Sequence, residues 1–174
     1  MMPAQQQGQQ VAPSTRPMGL DLQMYIAKGL ELISSPQTRQ SVLVMLKNGR
    51  PVEALAATLV VIMQRLDAAA RKKGIETEDV VKIFGAHELA VELAKVGQAA
   101  RIMNLDEDHV ELALSVAVQD YIKGEVAAGR INPGKLQEKL RTGMAQLSPE
   151  KRQEAKAAIE KLQLTAKKYS SGGQ

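Results

Sequence analysis

The chain has no cysteine and no tryptophan, and only four of its 174 residues are aromatic: Tyr25, Phe84, Tyr121 and Tyr169. The missing thiols exclude a disulfide framework and every thiolate metal site. The shortage of flat rings disfavours stacking on sugars, bases or flavins. Uninterrupted hydrophobic runs are missing too. The most apolar stretch, 54–63, falls well short of the ~18 residues needed to cross a bilayer and gives way to Gln64, Arg65 and Asp67. The first 15 residues have neither a basic start nor an apolar core, so they do not read as a secretory signal. A cytoplasmic origin is expected. No segment alternates with a period of two between turn pairs, so no sheet is expected.

What is present is aliphatic and small. Hydrophobic residues make up 44% of the chain, and they are mainly Ala, Leu, Val, Ile and Met. Such side chains let helices approach closely. The methionines fall mostly on apolar faces, where they read as core filler rather than an adaptable binding surface. The formal net charge of +4 is unevenly placed. Residues 1–129 hold 13 basic and 15 acidic side chains, whereas 130–174 hold 10 basic and 4 acidic. A basic C-terminal quarter can attract nucleic acid or an acidic protein surface.

The punctuation predicts an all-α bundle of six or seven helices. Residues 1–19, with five Gln and three Pro, read as an extended or disordered arm. Leu22, Tyr25, Ile26, Gly29, Leu30 and Ile33 sit at helical spacing, which places a helix over 20–34. Ser35-Pro36 restarts the chain as cap and first helical residue, and Asn48-Gly49 closes that short helix. Pro51 opens the next, running to about Lys73 with Gly74 as its left-handed cap. It carries Val52, Leu55, Leu59, Val60, Ile62 and Met63, apolar on nearly every side, and should lie at the centre of the core.

Thr77 reads as the cap of a fourth helix, in which Gly85 and Gly97 mark either kinks or close helix contacts. A short helical piece is expected over 98–103. Asp106 starts a long helix ending near Ala128-Gly129. Asn132-Pro133 begins the next, with a narrow stripe of Leu136, Leu140, Met144 and Leu147. Ser148-Pro149 begins the last, through about Lys168, with only Ala155, Ala158, Ile159, Leu162 and Ala166 to bury. The organisation is thus an arm at 1–19, a helical body at 20–129, a basic hairpin at 130–168 and a flexible tail at 169–174.

Catalytic constellations are scarce. His87-Glu88 and His109 have no second ligand at the spacing of a zinc-binding helix. The run Asp106-Glu107-Asp108-His109-Val110-Glu111 looks like a cation site on paper. Its carboxylates fall in the first turn of a helix, however, where negative charge is favourable anyway, and the glycine of an EF-hand loop is missing. There is no nucleophile elbow and no phosphate-binding glycine loop. The stretch 89–113 does not suit a DNA-reading helix-turn-helix, because its second helix opens with three acids that would face phosphates. No catalytic, cofactor-binding or metal-ligating residue is assigned. The residues assigned to a partner are Arg152, Lys156, Lys161, Lys167 and Lys168, although their alternation with Glu150, Glu154 and Glu160 also fits intrahelical ion pairs.

In layout the chain resembles the small virion proteins of tailed bacteriophages. The resemblance is carried by the Gln/Pro arm at 1–19, the cysteine-free Ala-rich helices of 52–128, the basic helical end at 149–168 and the Gly/Ser finish. It implies a non-catalytic structural or assembly protein that binds itself and other virion components and resides in the particle after synthesis in the host cytoplasm. The alternative is a nucleic-acid-associated accessory protein that contacts DNA non-specifically through the basic C-terminal helix. On either reading 149–168 should be the most mobile helix of the free protein. It should order on an acidic surface, with a neighbouring subunit's 76–79 or 106–111 favoured over DNA phosphates.

Overall fold

In a computed structural model that describes residues 18–150, 152, 153 and 156, the chain is all-helical. Six helices lie among the described residues, with no strand: α1 (Met18–Ser34), α2 (Pro36–Lys47), α3 (Pro51–Lys72), α4 (Asp79–Ala99), α5 (Glu107–Ala127) and α6 (Pro133–Gln146).

Local chemistry sets most of the boundaries. The Ser35 hydroxyl accepts from the Thr38 amide and caps α2. Asn132 accepts from the Gly134 and Lys135 amides and caps α6. Pro36, Pro51 and Pro133 stand where the first helical turn has no use for an N–H. Gly74 and Gly129 take positive φ just past the ends of α3 and α5, the left-handed conformation that suits a residue without a Cβ.

Three expectations need correction. Met18 and Gly19, assigned to the arm, already belong to α1; the rest of the arm, 1–17, lies outside the described residues. The fourth helix is preceded by Glu78, not Thr77, and Glu78 makes no side-chain cap bond. There, Lys82 engages Asp79 from within the first turn. No separate helix covers 98–103. Instead α4 runs on to Ala99, and the chain then turns, with the Ile102 amide bonding the Gly97 carbonyl. The expected central place of α3 is observed, and α4 shares it.

Helix α3 buries Leu55, Leu59, Ile62 and Met63 completely and packs against α1, α2, α4 and α5. Each such side chain contributes about 1.5–3 kcal/mol by leaving water. Helix α4 touches all five of the other helices. It can do so because its contact residues are small: a Cβ on Gly85 would lie 2.6 Å from the Tyr25 ring, and one on Gly97 would lie 2.6 Å from Met103. These glycines mark close contact, since α4 continues unbroken through both. Helix α6 lies against α4 and α1 and buries Leu136, with Leu140 and Met144 half-buried. Pro149, Glu150, Arg152, Gln153 and Lys156 are helical. The remainder of the expected last helix, its mobility and the 169–174 tail lie outside the described residues.

Candidate functional site

Two places in the body hold unusual chemistry. The first is a buried polar knot. Asp67, near the end of α3, and Lys82, in the first turn of α4, are both in the core, with side chains only 3% and 9% exposed. Lys82 Nζ lies 3.4 Å from Asp67 and 3.2 Å from Asp79. It also sits 5.9 Å above the Tyr121 ring, within cation–π range. The Tyr121 hydroxyl donates to the Asp67 carboxylate. Burial first, and then the hydrogen bond to Asp67, drive the Tyr121 phenol far above its usual range. Tyr25, on α1, is pushed the same way by burial and by the charge of Asp67. Both phenols therefore stay protonated. Tyr25 Oη and Asp67 Oδ1 are buried without a hydrogen-bond partner.

One turn beyond Tyr121, Glu125 is buried and receives two 2.7 Å hydrogen bonds from Arg130. This fork holds the Glu125 carboxyl below its ordinary range, chiefly through the hydrogen bonds. The knot thus joins α3, α4 and α5, with the buried Tyr25 phenol of α1 close enough to feel the Asp67 charge. A buried ion pair gains little net stability, because desolvation offsets the Coulomb attraction. What it does is penalise any packing in which Asp67 and Lys82 fail to meet. The arrangement is closed to solvent and has the character of a structural lock.

The second place is a groove between α4 and α5, with a cavity of about 210 Å³. Its apolar wall is Val91, Ala94, Leu105 and Val110, and its rim holds His87, Lys95, Gln98, Asp106, Glu107 and Glu111. His87 Nε2 meets Glu111 Oε1 at 3.1 Å across the two helices, whereas Glu111 Oε2 is buried without a partner. Helical spacing within α4 offered no hint of this pair, because its members stand 24 residues apart; only the docking of α5 on α4 brings them together.

The acidic run that opens α5 acts as a cap. Asp106 accepts from the His109 amide at 3.0 Å and from the His109 ring at 2.6 Å. The backbone bond foremost, then the ring bond, lower the Asp106 carboxyl. Among the described residues no group of His, Asp and Glu has the arrangement of a metal site, and no helix is long and apolar enough to cross a membrane.

Of the residues assigned to a partner, Arg152 is engaged within the chain. Its guanidinium bonds the Met144, Ala145 and Leu147 carbonyls at 3.1, 2.9 and 3.1 Å, closing the end of α6. Lys156 is exposed, and Lys161, Lys167 and Lys168 lie outside the described residues. On α6 itself Lys135, Lys139 and Arg141 are exposed, and the ion pairs found among the described residues do not include them. Sequence reading passed over these three because it weighed only the last helix, although the same excess of basic residues in 130–174 covers both. No protein-family model, no curated protein and no solved structure matches the chain, so its function has to be read from its own residues.

Proposed function

We propose that this chain is a non-catalytic, self-associating assembly protein, and that it serves as a virion component of a tailed bacteriophage. The observation that carries the reading is the separation of exposed charge. Among the described residues of the C-terminal quarter, exposed Lys135, Lys139, Arg141 and Lys156 outnumber exposed Glu138 and Glu150, while between Glu88 and Asp108 exposed Glu88, Asp106, Glu107 and Asp108 outnumber exposed Lys95 and Arg101. Two surfaces of opposite sign on one chain favour head-to-tail contact between copies, the geometry that builds rings or filaments. The locked core supports the same role, since a subunit that joins an assembly benefits from a single packing.

Sedimentation of the full chain across protein concentration, at about 50 mM and about 500 mM salt, tests self-association, because contacts between exposed charges weaken as the Debye length shrinks. The expected result is concentration-dependent growth in mass at low salt that fades at high salt. A monomer at every concentration in low salt refutes the reading. Mass spectrometry of purified particles from the source phage tests the virion assignment, which fails if the chain is absent from them.

A second reading is favoured by the exposed basic residues of α6: a nucleic-acid accessory protein that binds phosphates without sequence preference. It calls for duplex binding whose affinity falls steeply with salt. Duplex binding of that kind without self-association makes it the better account.

A further inference from the structure

We propose that the α4–α5 groove is the seat for the basic C-terminal segment, residues 149–168, of a second copy of this chain. The inference rests on the self-association reading and names the surfaces that would carry it.

The groove is suited to a narrow amphipathic helix. Its wall offers a short apolar strip, Val91, Ala94, Leu105 and Val110. In an amphipathic helix over 149–168, Ala155, Ala158, Ile159 and Leu162 would form an apolar stripe of matching narrowness. Small side chains on that stripe suit a shallow groove, because they let the two backbones approach. The mode is that of a helix laid in a groove, read by anchors three and four residues apart.

Charge then chooses the occupant. The rim carries Asp106, Glu107 and Glu111, with Glu88 beside His87. Against them the segment sets Lys156 and Lys161 flanking its apolar stripe. The one basic side chain on the rim apart from His87 is Lys95, and the segment has Glu154 and Glu160 to meet it. Glu111 adds to the negative charge beneath the rim, held there by its 3.1 Å contact with His87. The other acidic stretch, 76–79, offers less. Asp79 is already committed to Lys82 at 3.2 Å, and the groove does not reach that stretch.

The length of the segment fits as well. Twenty residues at about 1.5 Å each reach about 30 Å, enough to leave one body and lie along two helices of another. Arg152 anchors the first turn to the end of α6, so the segment departs from a fixed point.

Charge reversal by halves tests the proposal on the full chain. One variant, Glu88→Lys with Glu107→Lys, makes the groove rim basic. The other, Lys156→Glu with Lys161→Glu, makes the segment acidic. Glu88, Glu107 and Lys156 are exposed, Lys161 lies outside the described residues, and helical circular dichroism verifies that each variant folds. Association is read by sedimentation at low salt. Each variant alone should associate at least tenfold more weakly than the native chain, because like charges now face each other. An equal mixture of the two should recover native-like association, because each groove then meets a segment of opposite sign.

Variants that associate as well as the native chain overturn the docking site and leave the self-association reading standing. Weakening without recovery in the mixture overturns docking between copies and points to the segment folding back on its own groove. A native chain that stays monomeric overturns both readings, and duplex DNA binding lost only in the lysine variant would then assign the segment to nucleic acid.

Discussion

Replacing Lys82 by Met removes the only cation, among the described residues, within 4 Å of a carboxylate that is 97% buried. The Met side chain nearly matches the lysine in length and can fill its channel, so loss of packing contributes little. The cost falls on Asp67, which keeps the Tyr121 hydroxyl as its one hydrogen-bond donor and already has an unpartnered Oδ1. Breaking a buried pair from one side typically costs about 3–5 kcal/mol, and the upper half of that range is expected here. Asp67→Leu should cost less, because Lys82 retains Asp79 at 3.2 Å, although Tyr121 loses its acceptor. The double variant, with both charges gone, should recover most of the loss, so the two changes should be strongly non-additive. Urea unfolding followed by far-UV circular dichroism measures all four corners of the cycle. If Lys82→Met costs less than ~1 kcal/mol, or if the two changes simply add, the pair is not a lock, and the argument that it selects one packing fails.

Three further outcomes can be measured on the same scale. Leu59→Ala, at a fully buried site in the middle of α3, should cost roughly 2–5 kcal/mol in urea unfolding; a loss below ~1 kcal/mol would place that face outside the core. Gly85→Ala should destabilise by about 1–3 kcal/mol through overlap with the Tyr25 ring, whereas Gly124→Ala, which meets nothing within 4 Å inside α5, should stabilise by about 0.5–1 kcal/mol; thermal melts shifted in the same direction for both would contradict the packing described. Because Arg130 lowers the Glu125 carboxyl, the folded form binds protons less readily there than the unfolded form. That stability is present above the unfolded carboxylate range, around pH 4–5, and is lost as pH falls through the lower folded value. Arg130→Met should therefore narrow its stability gap to the native chain as the solution is taken below about pH 4, and a gap unchanged down to pH 2.5 would refute the pairing.

Several helix boundaries were legible in the sequence because they depend on residues that act locally, whereas the starts of α1 and α4 were not. Ser35-Pro36, Asn132-Pro133, Asp106 and the glycines at 74 and 129 do their work within one turn, whatever the rest of the chain does. The buried face of α3 was legible for a related reason: a helix apolar on most sides has to be surrounded. What the sequence concealed was pairing across distance. Lys82 reads as an ordinary first-turn lysine, and Asp67 as the polar end of an apolar run. Nothing in their spacing tells that α3 and α4 bring them together beneath Tyr121. The same holds for His87 and Glu111. The central place of α4 was hidden as well, because Gly85, Gly97, Ala86 and Ala90 register as low hydrophobicity in sequence but as closeness in three dimensions.

That concealment bears on where function resides. The interior polar groups are tied to one another: Asp67 to Lys82 and Tyr121, Lys82 also to Asp79, and Glu125 to Arg130. These groups fix how three helices, α3, α4 and α5, meet. The outward-facing charges are arranged differently. Lys135, Lys139 and Arg141 stand exposed on α6, and Glu88, Glu107 and Asp108 stand exposed on α4 and α5. On the proposed assembly role, the buried pairs hold a single packing and the exposed charges make the contacts between copies. Such contacts are steered by long-range charge and lose strength with salt. Salt dependence of association is accordingly the property that tests the proposed assembly role most directly.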